Sequence, residues 1–175
     1  ADIDADGDLD LVFARRDDNE SLILLNDGAA DFTARALPGS RGDHRQAVLA
    51  DLTGDGHVDL LLTAIGAESP IFIGDGTGNF ALYGLLGPAS EATQSVAAAD
   101  LDGDGDIDIV IGAGETSNAA YFNDGTGTFT ALTLDDEAED TYGVAIGDMD
   151  GDGIPDLVFA NSEAPNVVMT ARRQK

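Results

Sequence analysis

The chain has no cysteine, no tryptophan and only two histidines among its 175 residues. Without cysteine there can be no disulfide, and zinc, copper or iron would find few of the side chains that usually bind them. The sequence also has no cysteine nucleophile and no Gly-x-Ser-x-Gly elbow, so nucleophilic catalysis has little to build on. We therefore expect that the chain is not an enzyme.

Basic residues are scarce as well. Eight Lys and Arg residues stand against 34 Asp and Glu residues, for a formal net charge of −26. Such a surface repels nucleic acids and anionic membranes, and no apolar run approaches the roughly 20 residues of a transmembrane helix. We expect neither nucleic-acid binding nor membrane insertion.

A hydrophobic content of 43% suffices for one domain over 1–175, and a start without Met predicts a piece of a longer protein.

An acidic segment of nine residues occurs four times. Its copies begin at Asp2, Asp51, Asp100 and Asp148, and the intervals between them are almost equal. The chain is therefore a tandem array with approximate repeats 1–45, 46–94, 95–142 and 143–175. Four copies in register argue against chance Asp/Gly-rich turns.

Carboxylates at positions 1, 3, 5 and 9 of the segment would repel one another unless a cation lay among them. Oxygen ligands favour a hard cation, so we expect up to four structural calcium ions. Glycine at position 6 permits the positive φ that wraps the chain around an ion, and the position 7 carbonyl is a further candidate ligand. An EF-hand is not expected, because position 12 is apolar instead of glutamate. The candidate metal residues are Asp2, Asp4, Asp6, Asp8 and Asp10; Asp51, Thr53, Asp55, His57 and Asp59; Asp100, Asp102, Asp104, Asp106 and Asp108; and Asp148, Asp150, Asp152, Ile154 and Asp156.

The second copy differs from the others. Thr53 replaces an aspartate, which leaves three carboxylates and predicts the weakest site, since ligand charge helps to set affinity. We expect the side chain of His57 to be exposed, with only its carbonyl available to a metal.

Each repeat is predicted to form four short strands. In the second repeat these are Gln46 to Ala50, Asp59 to Thr63, Pro70 to Ile73 and Phe80 to Tyr83, bounded by Gly, Asn, Asp and Pro. No stretch has helical periodicity over ten residues, so the predicted class is all-β. The first repeat lacks a leading strand, and the last ends at 167–171 without a fourth.

The strands that leave the acidic segments are apolar on both faces, which predicts sheets stacked face against face. They are 11–13, 60–62, 109–111 and 157–159, and each is followed by a small residue: Ala14, Thr63, Gly112 or Ala160. Asp-Gly turns at 26–28, 74–78 and 123–127 predict hairpins, each followed by a phenylalanine that we expect to anchor the core: Phe32, Phe80 or Phe129.

Repeats of roughly 40 to 50 residues with four strands each are typical of propeller blades. The segment from Tyr142-Gly143 through Asp148 to Asp156, followed by Ala164-Pro165, resembles the FG-GAP and VCBS repeat family, which includes the β-propeller of integrin α subunits. The chain is closer to bacterial-type VCBS repeats, since Phe-Gly survives only as Tyr142-Gly143. The resemblance covers essentially the whole chain. It implies a calcium-binding propeller of four-stranded antiparallel blades, either a four-bladed ring or part of a larger, roughly seven-bladed one.

In such blades the acidic segments and the Asp-Gly hairpins share one face. The segments 14–21, 38–45, 64–69, 87–94, 112–118, 134–142 and 161–166 are then expected on the opposite face, and they vary between repeats as recognition loops do. Arg15, Arg16, Arg41 and Arg45 could receive an anionic ligand there, or could pair with neighbouring carboxylates. The tripeptide Arg41-Gly42-Asp43 matches an integrin-binding sequence, but so short a match is easily accidental.

Three functions fit these expectations. The first is a calcium-stabilised extracellular, cell-surface or periplasmic module of the adhesion or lectin type, which binds a glycan or a protein. The second is a non-catalytic domain of a larger secreted enzyme of the polysaccharide-degrading or phospholipase type. The third is an interaction scaffold that self-associates or is completed by another chain. Calcium affinities of roughly 10⁻⁴ to 10⁻³ M suit locations outside cells.

Overall fold

A computed structural model describes residues 1–88, 92–114, 116–134 and 140–172 of the chain. All regular secondary structure in these residues is β-strand, as predicted. The strands are β1 (Leu11–Phe13), β2 (Leu22–Asn26), β3 (Phe32–Ala36), β4 (His44–Ala50), β5 (Asp59–Ala64), β6 (Ser69–Gly74), β7 (Phe80–Leu86), β8 (Ala92–Ala99), β9 (Asp108–Gly114), β10 (Ala119–Asn123), β11 (Phe129–Thr133), β12 (Thr141–Gly147), β13 (Asp156–Asn161) and β14 (Val167–Met169).

The strands form four antiparallel sheets, each with its strands in chain order. Sheet 1 is β1-β2-β3, sheet 2 is β4-β5-β6-β7, sheet 3 is β8-β9-β10-β11 and sheet 4 is β12-β13-β14. The four strands predicted for the second repeat correspond to β4 to β7. Sheet 1 lacks a leading strand, and sheet 4 has no fourth strand within the described residues, both as predicted.

Successive sheets pack face against face because the second strand of each repeat is apolar on both sides. In β5, Leu60 and Leu62 join a buried cluster with Ile23 and Leu25 of sheet 1, whereas Leu61 joins a cluster with sheet 3. The same alternation recurs in β9: Ile109 and Ile111 belong to the cluster with sheet 2, and Val110 belongs to the cluster with sheet 4. The core therefore consists of three interfaces between consecutive sheets.

The small residue after the apolar run of this strand allows the close approach that the sequence predicted, most clearly at Gly112 in β9. A Cβ at Gly112 would lie 2.6 Å from Cγ2 of Val144 and 2.7 Å from Cγ2 of Thr141, both in β12 of the next sheet. A side chain at this position would push sheets 3 and 4 apart.

Two expectations about the first repeat are wrong. Leu11 and Phe13 of β1 are 43% and 52% exposed, although their counterparts in β5 and β9 are buried. Phe32 is 36% exposed, whereas Phe80 and Phe129 pack against buried clusters. In sheets 2 and 3 the corresponding positions face the preceding sheet, and the described residues form no sheet before sheet 1 that could cover them.

Candidate metal centre

The four acidic segments form loops that precede β1, β5, β9 and β13, and their glycines fix the backbone. The glycines at position 6, namely Gly7, Gly56, Gly105 and Gly153, have φ between +83° and +100°, as the sequence predicted. Position 4 also has positive φ in every copy: Ala5, Gly54, Gly103 and Gly151. This second position was not predicted from the sequence, because the first copy has alanine there.

Backbone amides hold the carboxylates of each loop in place. The position 6 amide donates to the position 1 carboxylate in all four copies, for example from Gly105 to Asp100 at 3.0 Å. The position 7 amide donates to the position 5 carboxylate at 2.9 Å in each copy, as from Asp106 to Asp104. These backbone bonds therefore orient the position 1 and position 5 side chains without a contribution from an ion.

Three loops bring carboxylates close enough to share one cation. In each, three carboxylate oxygens lie within 4.8 Å of one another: those of Asp2, Asp4 and Asp6; of Asp100, Asp102 and Asp108; and of Asp148, Asp150 and Asp156. In the first loop, one oxygen of Asp2 and one of Asp4 (Oδ1 in both) are buried without a hydrogen-bond partner. Buried anionic oxygens with no donor are costly, and a bound cation would remove that cost. The donor set suits a hard ion such as calcium. Asp10, Asp104 and Asp152 lie outside these groups.

The second loop is arranged differently. Its Thr53 hydroxyl donates to Asp59 at 3.1 Å, and its carboxylates do not form such a group among the described residues. The side chain of His57 is exposed, as expected, and lies over Gly76 of the hairpin. That this loop has the weakest site stays a prediction.

The position 9 aspartates have a structural role that the sequence analysis did not identify. Asp10, Asp59, Asp108 and Asp156 are almost fully buried. In Asp108, one carboxylate oxygen accepts from the Leu101 amide and the other from the Asn123 amide, both at 2.8 Å. The other three make the equivalent pair of bonds. Each therefore joins its loop to the third strand of its repeat, at or just beyond the end of that strand.

The pKa values reflect crowding and burial. Partial desolvation, followed by the neighbouring carboxylates, raises the pKa of Asp4 and of Asp106, and burial raises the pKa of Asp108. In the hairpins the opposite holds: hydrogen bonds from Thr77 and Asn79 lower the pKa of Asp75 to about 2. Without a cation, the raised pKa values of Asp4, Asp106 and Asp108 favour proton uptake at these residues, whereas the lowered pKa of Asp75 favours its carboxylate.

The hairpins lie on the same side of the molecule as the acidic loops. A Cβ at Gly125 would lie 2.6 Å from a carboxylate oxygen of Asp106, so the hairpin glycine makes room for the position 7 side chain. On the opposite side, the loops between the second and third strands of a repeat contact the links between sheets. At the first such contact, the His44 amide of the link donates to the Arg15 carbonyl of the loop. In the last repeat, the Ser162 amide of the loop donates to the Asp140 carbonyl of the link. Residues 89–91, 115 and 135–139, which belong to the predicted recognition loops, lie outside the described residues.

Three of the four arginines on that opposite side are engaged with carboxylates. Arg16 and Arg45 contact Asp43 at 3.3 and 3.4 Å, and Arg41 contacts Glu20 at 3.8 Å. Arg15 donates to the Glu20 carbonyl at 3.3 Å. Both charged residues of the Arg41-Gly42-Asp43 tripeptide therefore already have partners within the chain.

Four stacked antiparallel sheets, each with an acidic glycine-rich loop before a doubly buried strand, define a tandem β-repeat protein. The model of the FG-GAP-like repeat matches residues 2–62, 66–111 and 100–159. The chain belongs to this family. No curated protein matches it significantly. Among the described residues, no helix is long and apolar enough to cross a membrane.

Proposed function

We propose that the chain is an arc of a calcium-stabilised β-propeller that serves as an extracellular binding module. The family favours a propeller-type binding module. The observation that carries the calcium proposal is the grouping of three carboxylates in each of three loops, together with the unpartnered buried oxygens of Asp2 and Asp4. A cation there would neutralise charges that otherwise oppose folding, so its binding would stabilise the fold.

Recognition of a glycan or an extracellular protein would use the loops opposite the acidic loops. These loops differ between repeats, whereas the acidic loops repeat, and variable loops on a rigid scaffold are the usual place for specificity. Asp43 holds two arginine side chains in place, so their guanidinium groups could also receive an anionic ligand.

Thermal unfolding of the metal-free chain, with calcium or magnesium added back, tests the proposal. Calcium at about 1 mM should stabilise the protein by roughly 0.4–1.4 kcal/mol per ion if its affinities are those of extracellular modules, with a smaller effect of magnesium. Asp148→Ala should remove more of this gain than Asp55→Ala, because the loop of Asp55 does not bring three carboxylates close together. An unfolding temperature that does not change when calcium is added would refute the calcium proposal.

Ligand recognition is tested separately, by screening the calcium-loaded chain on glycan arrays and then testing Asp43→Ala. We expect any anionic glycan that binds to lose affinity in this variant, because Asp43 orients Arg16 and Arg45. Asp55→Ala, on the other side of the molecule, is the matched control and should retain binding. Unchanged binding by both variants would place the site elsewhere.

A further inference from the structure

Two cavities lie side by side between sheets 3 and 4. The first, of about 380 Å³, is lined by the loop residues 100–103, by 153–155 and by 171–172. The second, of about 220 Å³, is lined mainly by apolar side chains of both sheets, including Phe122, Leu134 and Met169. Leu101, Pro155 and Ala171 line both cavities. We refer to the two together as the sheet 4 groove.

The equivalent space between sheets 2 and 3 is filled by the hairpin of sheet 3. The Asn123 side chain donates to the Leu52 carbonyl at 2.9 Å, and Gly127 lies beside Thr53. Phe129, which follows this turn, packs against the buried cluster that contains Ile71 and Leu86 of sheet 2. A turn thus covers the acidic loop of the preceding sheet, and a phenylalanine covers its third strand.

The hairpin of sheet 2 occupies the same place on sheet 1. Gly78 lies against Leu25 and Asp4, and Phe80 packs against the cluster of Ile23, Leu25 and Leu37. The interaction therefore occurs twice with the same positions of the repeat.

The residues of sheet 3 that would receive a third copy of this interaction are less well covered. Leu37 and Leu86 are buried, but their counterpart Leu134 is only partly buried. Likewise Ile3 and Leu52 are buried, but their counterpart Leu101 is only partly buried. Residues of sheet 4 can be matched to those of sheet 3, because the Ala171 amide donates to Asp156 as the Asn123 amide donates to Asp108. The sheet 4 groove is thus the position of a turn and a fourth strand that the described residues do not supply.

The strand beside the groove, β14, also has an unpaired edge. β14 pairs with β13 along one edge, and no described strand pairs with its other edge. An open edge presents backbone donors and acceptors on which an extended peptide can add by antiparallel pairing.

We propose that the sheet 4 groove binds an extended peptide of the form Gly-x-Gly-x-Phe followed by alternating apolar residues. The peptide pairs with β14, its glycine turn lies over the loop that begins at Asp100, and its phenylalanine enters the apolar cavity. The partner is a segment with the character of the fourth strand of a repeat, because the chain already binds such segments twice. This inference does not depend on ligand recognition by the opposite loops.

The test uses the whole chain with calcium and a fluorescent peptide that copies residues 125–134, GTGTFTALTL. Saturable binding is expected, and the peptide with alanine in place of phenylalanine should bind at least about tenfold more weakly, since it leaves the apolar cavity empty. The protein variant Met169→Asp should lose binding because Met169 lines the cavity. Val168→Asp is the matched control and should retain binding, because Val168 is 53% exposed on the opposite face of the same strand. Melting curves establish that both variants fold.

Equal affinity for the two peptides would overturn the proposal, as would equal loss in Met169→Asp and Val168→Asp. If Met169→Asp fails to fold, the comparison of the two peptides on the unmodified chain still decides. A second copy of the chain could cover the groove instead. Sedimentation would then show a dimer that binds no peptide, and this result would also overturn the proposal.

Discussion

The two positions of positive φ in each acidic loop determine which residues can occupy it. Position 6 is glycine in all four copies and was predictable, whereas position 4 is glycine in three copies and alanine at Ala5, with φ of +60°. This region of backbone space costs an L-residue with a side chain roughly 1–2 kcal/mol. The first loop therefore carries strain that the others avoid.

Replacement of Ala5 by glycine should stabilise the protein by about 1 kcal/mol, because it relieves this strain at the cost of some unfolded-state entropy. Chemical denaturation in calcium measures the change. Gly103→Ala is the matched variant: it occupies position 4 of the third loop, where a Cβ meets no atom within 4 Å, so only the backbone cost applies. It should destabilise by a similar amount. Changes of the same sign in both variants would contradict the explanation.

Two carboxylates of the third loop's candidate cation group have roles that mutation can separate. Asp108 is buried and also accepts from two backbone amides, whereas Asp102 is exposed. Asp108→Ala should cost about 2–4 kcal/mol even in chelator, because it leaves two amides without an acceptor. Asp102→Ala should matter mainly when calcium is present, because its carboxylate belongs to the group that could share a cation. Denaturation curves of both variants in calcium and in chelator give the comparison, and equal effects in the two conditions for Asp102→Ala would argue against a calcium role.

At the scale of the element, the second strand of each repeat determines how the sheets stack. The apolar run 109–111 predicted burial on both faces, and the structure confirms it, with Val110 facing one neighbour and Ile109 the other. The same reasoning failed for β1, because burial also requires a preceding sheet. The bonds made by the position 9 aspartates were not predictable, since one partner of each lies at the end of another strand, as Asn123 does for Asp108. These partners are backbone amides, which any sequence provides.

Gly112 marks the closest approach of two sheets and should tolerate no side chain. Gly112→Ala should destabilise the protein by about 1–3 kcal/mol, because the added methyl overlaps Val144 and Thr141 and the sheets must move apart. Gly84→Ala in β7 is the control, since a Cβ there meets nothing within 4 Å. Thermal melts of both variants measure the difference. An equal loss at Gly84 would point to a general cost of replacing strand glycines.

At the scale of the whole molecule, the chain without bound metal carries a large negative charge. The eight positive charges of four calcium ions would reduce the formal charge from −26 to −18. Without them, Asp4, Asp106 and Asp108 have pKa values above those of an unfolded chain. The folded state therefore takes up protons first as pH falls, and this part of its stability grows from pH 7 towards about 4.

The hairpin carboxylates act in the opposite direction at lower pH. Because the pKa of Asp75 is lowered to about 2, its contribution is complete above the unfolded value of about 4 and is lost as pH falls through about 2. The metal-free protein, prepared with a chelating resin, should thus be most stable near pH 4 (about the unfolded carboxyl pKa) and less stable at pH 7. With calcium the trend between these values should reverse, because protons compete with the ion. Melting curves at both pH values, with and without calcium, provide the test, and a metal-free optimum near pH 7 would contradict it.

Each internal interface uses the same positions of the repeat, so such proteins can gain or lose whole repeats over evolutionary time. Sheet 2 presents Leu60 and Leu62 to sheet 1, and sheet 3 presents Ile109 and Ile111 to sheet 2. Unequal recombination that removes or duplicates one whole repeat therefore joins surfaces that already fit each other. An insertion of half a repeat would instead place a loop against a strand. Such a change in repeat number would preserve the nearly constant spacing of the aspartates.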